Sequence, residues 1–308
     1  MGRIYTFAPP GRLRLATVAA RGFYDQLQGL NLPMTVSVLI LTLNEEVNLP
    51  SCLESISWSD DIVVFDSFSN DQSVEIAKAA GARVIQRRFD NWSSHQNWAV
   101  GNIEFKYPCV FYLDADERCD EMLAGELQAM TASATEYSAF QVRRKDFFMG
   151  KWLKHAQLYP TWITRVFQPE KIRYERLVNP VVVVDGKIGQ LKGHLIHYPF
   201  SHGIRHWFAR HNNYSDMEAQ DLLREMGETP RFRDAFSSDP TLRRRAMKRL
   251  AYGLPTRPLL IYLYLVLIRR AFLDGAPGMH YASMRATYEY MIDLKVKEIR
   301  RREKGLPL

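Results

Sequence analysis

From Thr35 onward, short apolar runs alternate with stretches of helical periodicity, the pattern of repeated βαβ units on a parallel sheet. Four runs predict strands: VSVLILT (36–42), DIVVFD (61–66), the short ARVIQ (82–86) and CVFYLDAD (109–116). Between them the pattern predicts helices from about Glu46 to Ser57, from near Asp71 to Gly81, and near Ser94 to Ile103. The segment from Ala139 to about Tyr198 changes character. FQVRR, WITRVF, VVVVDG and LIHY are strand-like without regular helices between them, which predicts a mixed or antiparallel extension of the first half. From Ser201 the chain reads as helical, broken at Pro230, at Pro240, in GLPTRP (253–258) and in DGAPG (274–278). The expected organisation is an N-terminal extension (1–34), an α/β domain (35–215) and a basic helical C-terminal region (216–308).

Composition narrows this picture. The chain has 308 residues, 46% hydrophobic and 24% charged, the balance of a globular chain with a real core. Cys52, Cys109 and Cys119 fit neither a disulfide framework nor a zinc motif and imply reduced thiols. The net charge of +7 is unevenly placed: residues 231–304 hold 17 Lys and Arg against 7 Asp and Glu. Such a tail faces nucleic acid or an anionic membrane, and composition alone does not separate the two. The first 30 residues carry arginines throughout and no uninterrupted apolar core, so no secretory signal is expected. The most apolar stretch, LLIYLYLVLI (Leu259 to Ile268), has about half of the roughly 20 residues that a spanning helix needs. A buried core helix is one reading. Arg257, Arg269 and Arg270 at its flanks and two tyrosines within it favour an interfacial one. Leu13 to Leu30 reads as either a second amphipathic helix or a frayed extension.

Candidate chemistry collects where strands end, since open parallel sheets bind ligands beyond the carboxyl ends of their strands. Strand one runs into Thr42-Leu43-Asn44-Glu45-Glu46, strand two into Asp66-Ser67-Phe68-Ser69-Asn70-Asp71, and strand four into Asp114-Ala115-Asp116-Glu117. These acids suit a cation and the donors of a base or ribose better than a bare anion. Neither G-x-G-x-x-G nor a P-loop is present, so phosphates need another holder. A D-x-D at the end of a buried strand can supply one by binding Mg²⁺ or Mn²⁺, which then bridges a diphosphate.

TLNEE after strand one, VVFDSFSNDQSVEIAKAAGARV around strand two and FYLDADE at strand four together resemble the family 2 glycosyltransferases of the GT-A fold. RRKDFFMGKWLKHAQLYPTWITRVF (143–167) and GHLIHYPF (193–200) extend the likeness toward the subgroup that builds lipopolysaccharide inner core and cell-surface glycans. The resemblance implies an α/β GT-A sheet flanked by helices, and an inverting transfer from a nucleotide-diphosphate sugar, with UDP as the expected nucleotide. The expected acceptor is lipid-linked or belongs to lipopolysaccharide or exopolysaccharide. It also implies that Thr42, Asn44 and Glu45 line the nucleotide pocket, that Asp66 accepts from the base, that Asp114 meets ribose or metal, and that Asp116 is the main ligand of Mg²⁺ or Mn²⁺. Asn44 and Glu45 also read as the start of a helix, and Asp71 reads as a cap.

One position departs from the family pattern. The Glu expected as general base after the RVF-containing strand is replaced by Pro180 in Arg176-Leu177-Val178-Asn179-Pro180, and proline cannot move a proton. Glu175 and Asp185 stand five residues away, roughly 16 Å in an extended chain. Asp146 and His155 lie on the preceding segment, where the resemblance implies acceptor contacts, which makes Asp146 the expected base and His155 the next candidate; His155, His194 and His197 read equally well as structural histidines. The basic C-terminal region becomes a docking surface for an anionic membrane, separable from donor binding, on a cytoplasmic protein at the inner face of the cell membrane. Three competing classes stay open: a nucleotide-sugar binder with lost or altered catalysis, a nucleotidyltransferase, and a nucleic-acid binder. The second usually carries a glycine-rich basic loop that TLNEE lacks. The third would interleave aromatics with its charges, whereas this tail joins them to an apolar run; no nucleic-acid partner is expected.

Overall fold

β1 (Val36–Thr42) and β4 (Cys109–Asp114) are apolar at nearly every position, and in the computed structural model they lie side by side, buried, near the centre of a nine-stranded sheet. Continuous apolar runs of this kind belong to parallel strands covered on both faces. The structure describes residues 36–130, 136–175, 181–226 and 256–308. The expected segment 13–30, the breaks at Pro230 and Pro240, and Pro180 lie outside them. β2 (Ile62–Asp66) and β3 (Arg83–Gln86) complete a parallel half in the order β3-β2-β1-β4. The connecting helices are α1 (Leu49–Ser55), α2 (Ser73–Ala79) and α3 (Trp92–Asn102). α3 starts two residues earlier than expected because the Asn91 side chain accepts the Ser94 backbone N–H at 2.9 Å and caps it.

The second half continues the sheet through strands of mixed direction. After β5 (Glu117–Cys119) comes α4 (Glu121–Gln128), which the sequence pattern did not announce: eight residues with a central glycine show little periodicity. Asp120 caps it by accepting the Leu123 N–H at 2.9 Å. β6 (Tyr137–Phe148), β7 (Lys151–Trp152), β8 (Thr161–Phe167) and β11 (Lys187–His197) extend the order to β4-β8-β6-β11-β5, with β7 paired to β6. β8 is antiparallel to β4 and β6, while β11 is parallel to β6 and antiparallel to β5. VVVVDG does not join this sheet. β10 (Val181–Val184) pairs with β9 (Ile172–Glu175) in a separate two-stranded ribbon.

One face of the sheet buries α1, α2 and α4 through Leu49, Cys52, Ala77 and Leu123. The other buries α3 and β9 through Ala99, Ile103 and Tyr174. The three cysteines are free and buried. A third apolar cluster joins Phe148, Leu153 and Ala156 to α5 (Gly203–Met226), α6 (Arg257–Leu263) and α7 (Gly275–Glu303). α5 runs unbroken across the expected domain boundary at 215–216. The helical run breaks at the start of DGAPG, where Gly275, at φ 74°, separates a 3-10 turn (Ala271–Asp274) from α7; Gly278 in the first turn of α7 sits against the Ala271 carbonyl, where a Cβ would collide. The C-terminal helices are thus part of the folded body.

Candidate active site

Register brings the strand-end residues to one level. Thr42 stands opposite Asp66 and Leu41 opposite Asp114, so the loops after β1, β2 and β4 open on the same edge. The first two loops are laced together. Asn44, in the left-handed region at φ 56°, donates its N–H to Ser69 Oγ at 2.8 Å and accepts the Asn70 N–H at 2.7 Å. Glu45 N–H donates to Ser73 Oγ, and Asp71 accepts the backbone N–H groups of Glu46 and Ser73; the helix cap expected of Asp71 falls instead at Gln72, and Asp71 ties the two loops together from one residue before it. Glu45 also accepts from Asn48 at 2.6 Å and lies 3.0 Å from His202 Nε2, and burial raises its carboxyl pKa against those contacts. Asp66 is fully buried and accepts from Ser69 and Gln86. It therefore builds the loop rather than facing a ligand, contrary to the contact with a base expected of it.

The two aspartates of the D-x-D part company. Asp114 accepts from Tyr112 Oη at 2.7 Å and from Arg165 Nη2 at 2.6 Å. Arg165 also reaches the buried Glu117 at 2.8 Å, and Glu117 in turn accepts the Asp114 N–H. Asp116 points the other way, with Oδ2 3.3 Å from His197 Nε2. The far nitrogen of His197, Nδ1, lies 2.5 Å from Asp146 Oδ1, which is also paired with Arg144 Nε at 3.0 Å.

This line of groups follows from strand pairing, because β11 sets His197 opposite Glu117 of β5 and opposite Asp146 of β6. Burial disfavours the charged imidazole, but Asp116 and Asp146 outweigh it and raise the His197 pKa to about 9. Burial likewise works against both carboxylates, and His197 overcomes it, holding Asp116 and Asp146 below the usual range.

Asp146 therefore does not occupy the position of an acceptor base. It is 2% exposed and committed to His197 and Arg144, so an incoming hydroxyl cannot reach it. His155 is held elsewhere too: its Nδ1 lies 2.7 Å from Asp274, whose other oxygen accepts the backbone N–H groups of His155 and Ala156. His194 is structural, bridging Asp120 and Tyr159 Oη.

Residues 37–192, half of the chain, match the family model Glycosyl transferase family 2. The chain belongs to the family 2 glycosyltransferases. This glycosyltransferase is 27% identical over 206 residues to the lipopolysaccharide core biosynthesis glycosyltransferase LpsC of Rhizobium meliloti, covering 65% of this chain and 75% of the relative. It is 26% identical over 211 residues to the uncharacterized glycosyltransferase RT0209 of Rickettsia typhi, covering 64% and 71%. Among solved structures, S. aureus TarS 1-349 covers 87% of this chain and 92% of that chain at 14% identity and a TM-score of 0.39. A parallel β3-β2-β1-β4 half, a mixed second half and flanking helices give this glycosyltransferase the architecture that the GT-A resemblance implied.

Two cavities of this glycosyltransferase are lined by chain neighbours of Asp116 and His197, which themselves line neither. One, of about 700 Å³, is lined by Asp114, Arg144 and Arg165 from the sheet and by Tyr214, Glu218 and Tyr288 from α5 and α7. The other, of about 580 Å³, lies between α1 and the β6–β7 turn beside Tyr198. Among the described residues no three His, Cys, Asp or Glu side chains converge as a complete metal cage. Asp116 nevertheless offers a carboxylate oxygen beside His197, whose Nε2 could join it as a ligand only by giving up the proton that Asp116 and Asp146 stabilise. That fits a Mg²⁺- or Mn²⁺-type ion completed by water and substrate phosphates. Glu117 and His197 escaped the sequence reading as site residues. Only their place beside Asp116 across β5 and β11 reveals them.

Proposed function

We propose that this glycosyltransferase moves a sugar from a UDP-sugar to a lipid-linked or lipopolysaccharide-type glycan acceptor, with inversion at the anomeric carbon, at a membrane surface. The observation that carries the reading is the Asp116–His197–Asp146 line. A carboxylate behind a ligating histidine fixes the ring and its tautomer, so Asp146 would hold Nδ1–H while a Mg²⁺ or Mn²⁺ on Asp116 would displace the Nε2 proton of His197 and take its place. Such a cation neutralises charge on the leaving diphosphate. Thr42, Asn44 and Glu45 shape the nucleotide side, Asp66 braces its loop, and Asp114, oriented by Arg165 and Tyr112, faces the larger cavity.

In the transfer step the acceptor oxygen attacks the anomeric carbon, the bond to the diphosphate oxygen breaks with its electron pair leaving on UDP, and the acceptor proton passes to a base. Among the described residues the cavity is lined by two carboxylates, Asp114 and Glu218. We assign the base to Glu218 of α5, which lines this cavity, in place of Asp146 or His155.

Calorimetric titration with UDP, with and without Mn²⁺, tests the donor site. The expected result is Mn²⁺-dependent binding that is lost in Asp116→Ala and strongly weakened in His197→Ala. Equal binding with and without the ion, or full binding by Asp116→Ala, would overturn the reading.

A further inference from the structure

The helix that runs through the most apolar part of the chain is apolar on both sides. α6 continues through one π-helical turn, Tyr264–Ile268, so that residues 257–268 form a continuous helical rod. Ile261, Tyr262, Leu265 and Val266 face inward and pack with Trp207 and Tyr288 in the C-terminal cluster. A helix on a water-exposed surface should be polar on the other side. Here the outward positions, at helical spacing, are Leu259, Leu260, Leu263, Tyr264, Leu267 and Ile268, the last two 61% and 70% exposed. Phe272 and Leu273 on the next turn prolong the same apolar surface. Isolated exposed leucines need no explanation, but a contiguous face of this kind marks an interaction site.

Charge identifies the partner. From Pro240 to Leu273 the sequence contains no Asp or Glu and 8 Lys and Arg. Arg269 and Arg270 border the apolar face, and neither has a carboxylate partner among the described residues. The first acid after the face, Asp274, is turned inward, 2% exposed and bonded to His155 and Ala156. An apolar strip edged by arginines and cleared of acids complements an anionic lipid interface rather than an uncharged protein groove. Twelve helical residues span about 18 Å, well short of the ~30 Å hydrocarbon core, so the rod can lie in the interface and cannot cross it.

We propose that the outward face of residues 259–273 is the surface by which this glycosyltransferase docks on an anionic bilayer, its leucines in the acyl boundary and Arg269 and Arg270 among the headgroup phosphates. The proposal deepens the membrane-surface reading given above and is independent of the donor site. The face is rigidly coupled to the catalytic body. Asp274 ties its end to the 155–156 loop, and Arg257 at its start is buried in ion pairs with Glu289 and Asp293 of α7. Docking therefore orients the cavity beneath α5 and α7 relative to the membrane.

Cosedimentation of the full chain with phosphatidylcholine vesicles, with and without phosphatidylglycerol, tests this. The wild type is expected to bind the anionic vesicles. Leu263→Gln/Leu267→Gln/Ile268→Gln should lower the partition coefficient by about tenfold or more, and Arg269→Glu/Arg270→Glu should abolish the preference for anionic lipid. Melting temperature and UDP titration of the same variants separate loss of docking from loss of fold or donor site. Should the triple variant not fold, Ile268→Trp supplies an independent readout: a blue-shifted emission component, absent from the wild type and quenched by brominated lipid, is expected with anionic vesicles. Unchanged partitioning of a folded triple variant, solvent-like emission from the introduced indole, or a wild-type dimer in light scattering that the triple variant converts to monomer would each overturn the proposal.

Discussion

At the scale of single residues, His197 does the joining. Its two ring nitrogens engage carboxylates far apart in the chain, Asp116 in the turn just before β5 and Asp146 on β6, and Arg144 helps hold Asp146 in place. The two acids given roles in transfer should then fail differently. Asp146→Asn removes the charge behind the imidazole and is expected to weaken Mn²⁺ affinity by about 10–100-fold, the usual effect of disturbing a ligand's support, while kcat at saturating Mn²⁺ falls less. Glu218→Gln is expected to leave Mn²⁺ and UDP binding intact and to lower kcat by about 10²–10⁴-fold, the range for a lost general base. Calorimetry and initial rates across a Mn²⁺ series separate the two, and the opposite assignment of effects would exchange the roles.

At the scale of elements, the site depends on how closely β11 lies on α4. Gly193 touches Leu123 at the start of that helix, and an added Cβ would overlap the Leu123 backbone. The same junction carries Asp120, which caps α4 and also accepts the His194 N–H, three residues from His197. Gly193→Ala should cost about 1–3 kcal/mol by overpacking, visible in urea unfolding. By tilting β11 it should also weaken Mn²⁺-dependent UDP binding. A variant with wild-type stability would show that this contact yields freely. The parallel strands and their acidic ends were legible because each is a short, nearly continuous apolar run followed by polar residues. α4 and β5 were not: eight and three residues are too few to display a period, and a cap and strand pairing define them instead.

At the scale of the whole molecule, the C-terminal helices are a wall of the cavity and part of the core. Leu265, Tyr288, Ile292 and Val296 are buried with Trp207, Phe148 and Leu153. Burial of side chains this size contributes about 1.5–3 kcal/mol each, so four of them together rival the ~5–15 kcal/mol net stability of a typical domain. The expectation that residues 231–308 form a separable docking tail therefore gives way. A chain ending at 230 is predicted to aggregate or lose near-ultraviolet dichroism, and to lose the cavity wall at Tyr288. Size-exclusion chromatography and dichroism check this. A monomeric, folded truncation that binds UDP normally would contradict it. Membrane docking is thus better probed by changes on the outward face of residues 259–273 than by deletion.

The sequence by itself determined the parallel half of the sheet, the level at which its acids emerge and the family, because these depend on local apolar runs and on residues close together in the chain. It also marked the apolar stretch and its arginines, though not which side chains would face outward. Only the tertiary structure decided that Asp66 and Asp146 face inward, that Asp114 belongs to Arg165, and that His197 meets Asp116. Those outcomes follow from the pairing of β5, β11 and β6, strands far apart in sequence, whose register converts distant polar residues into neighbours.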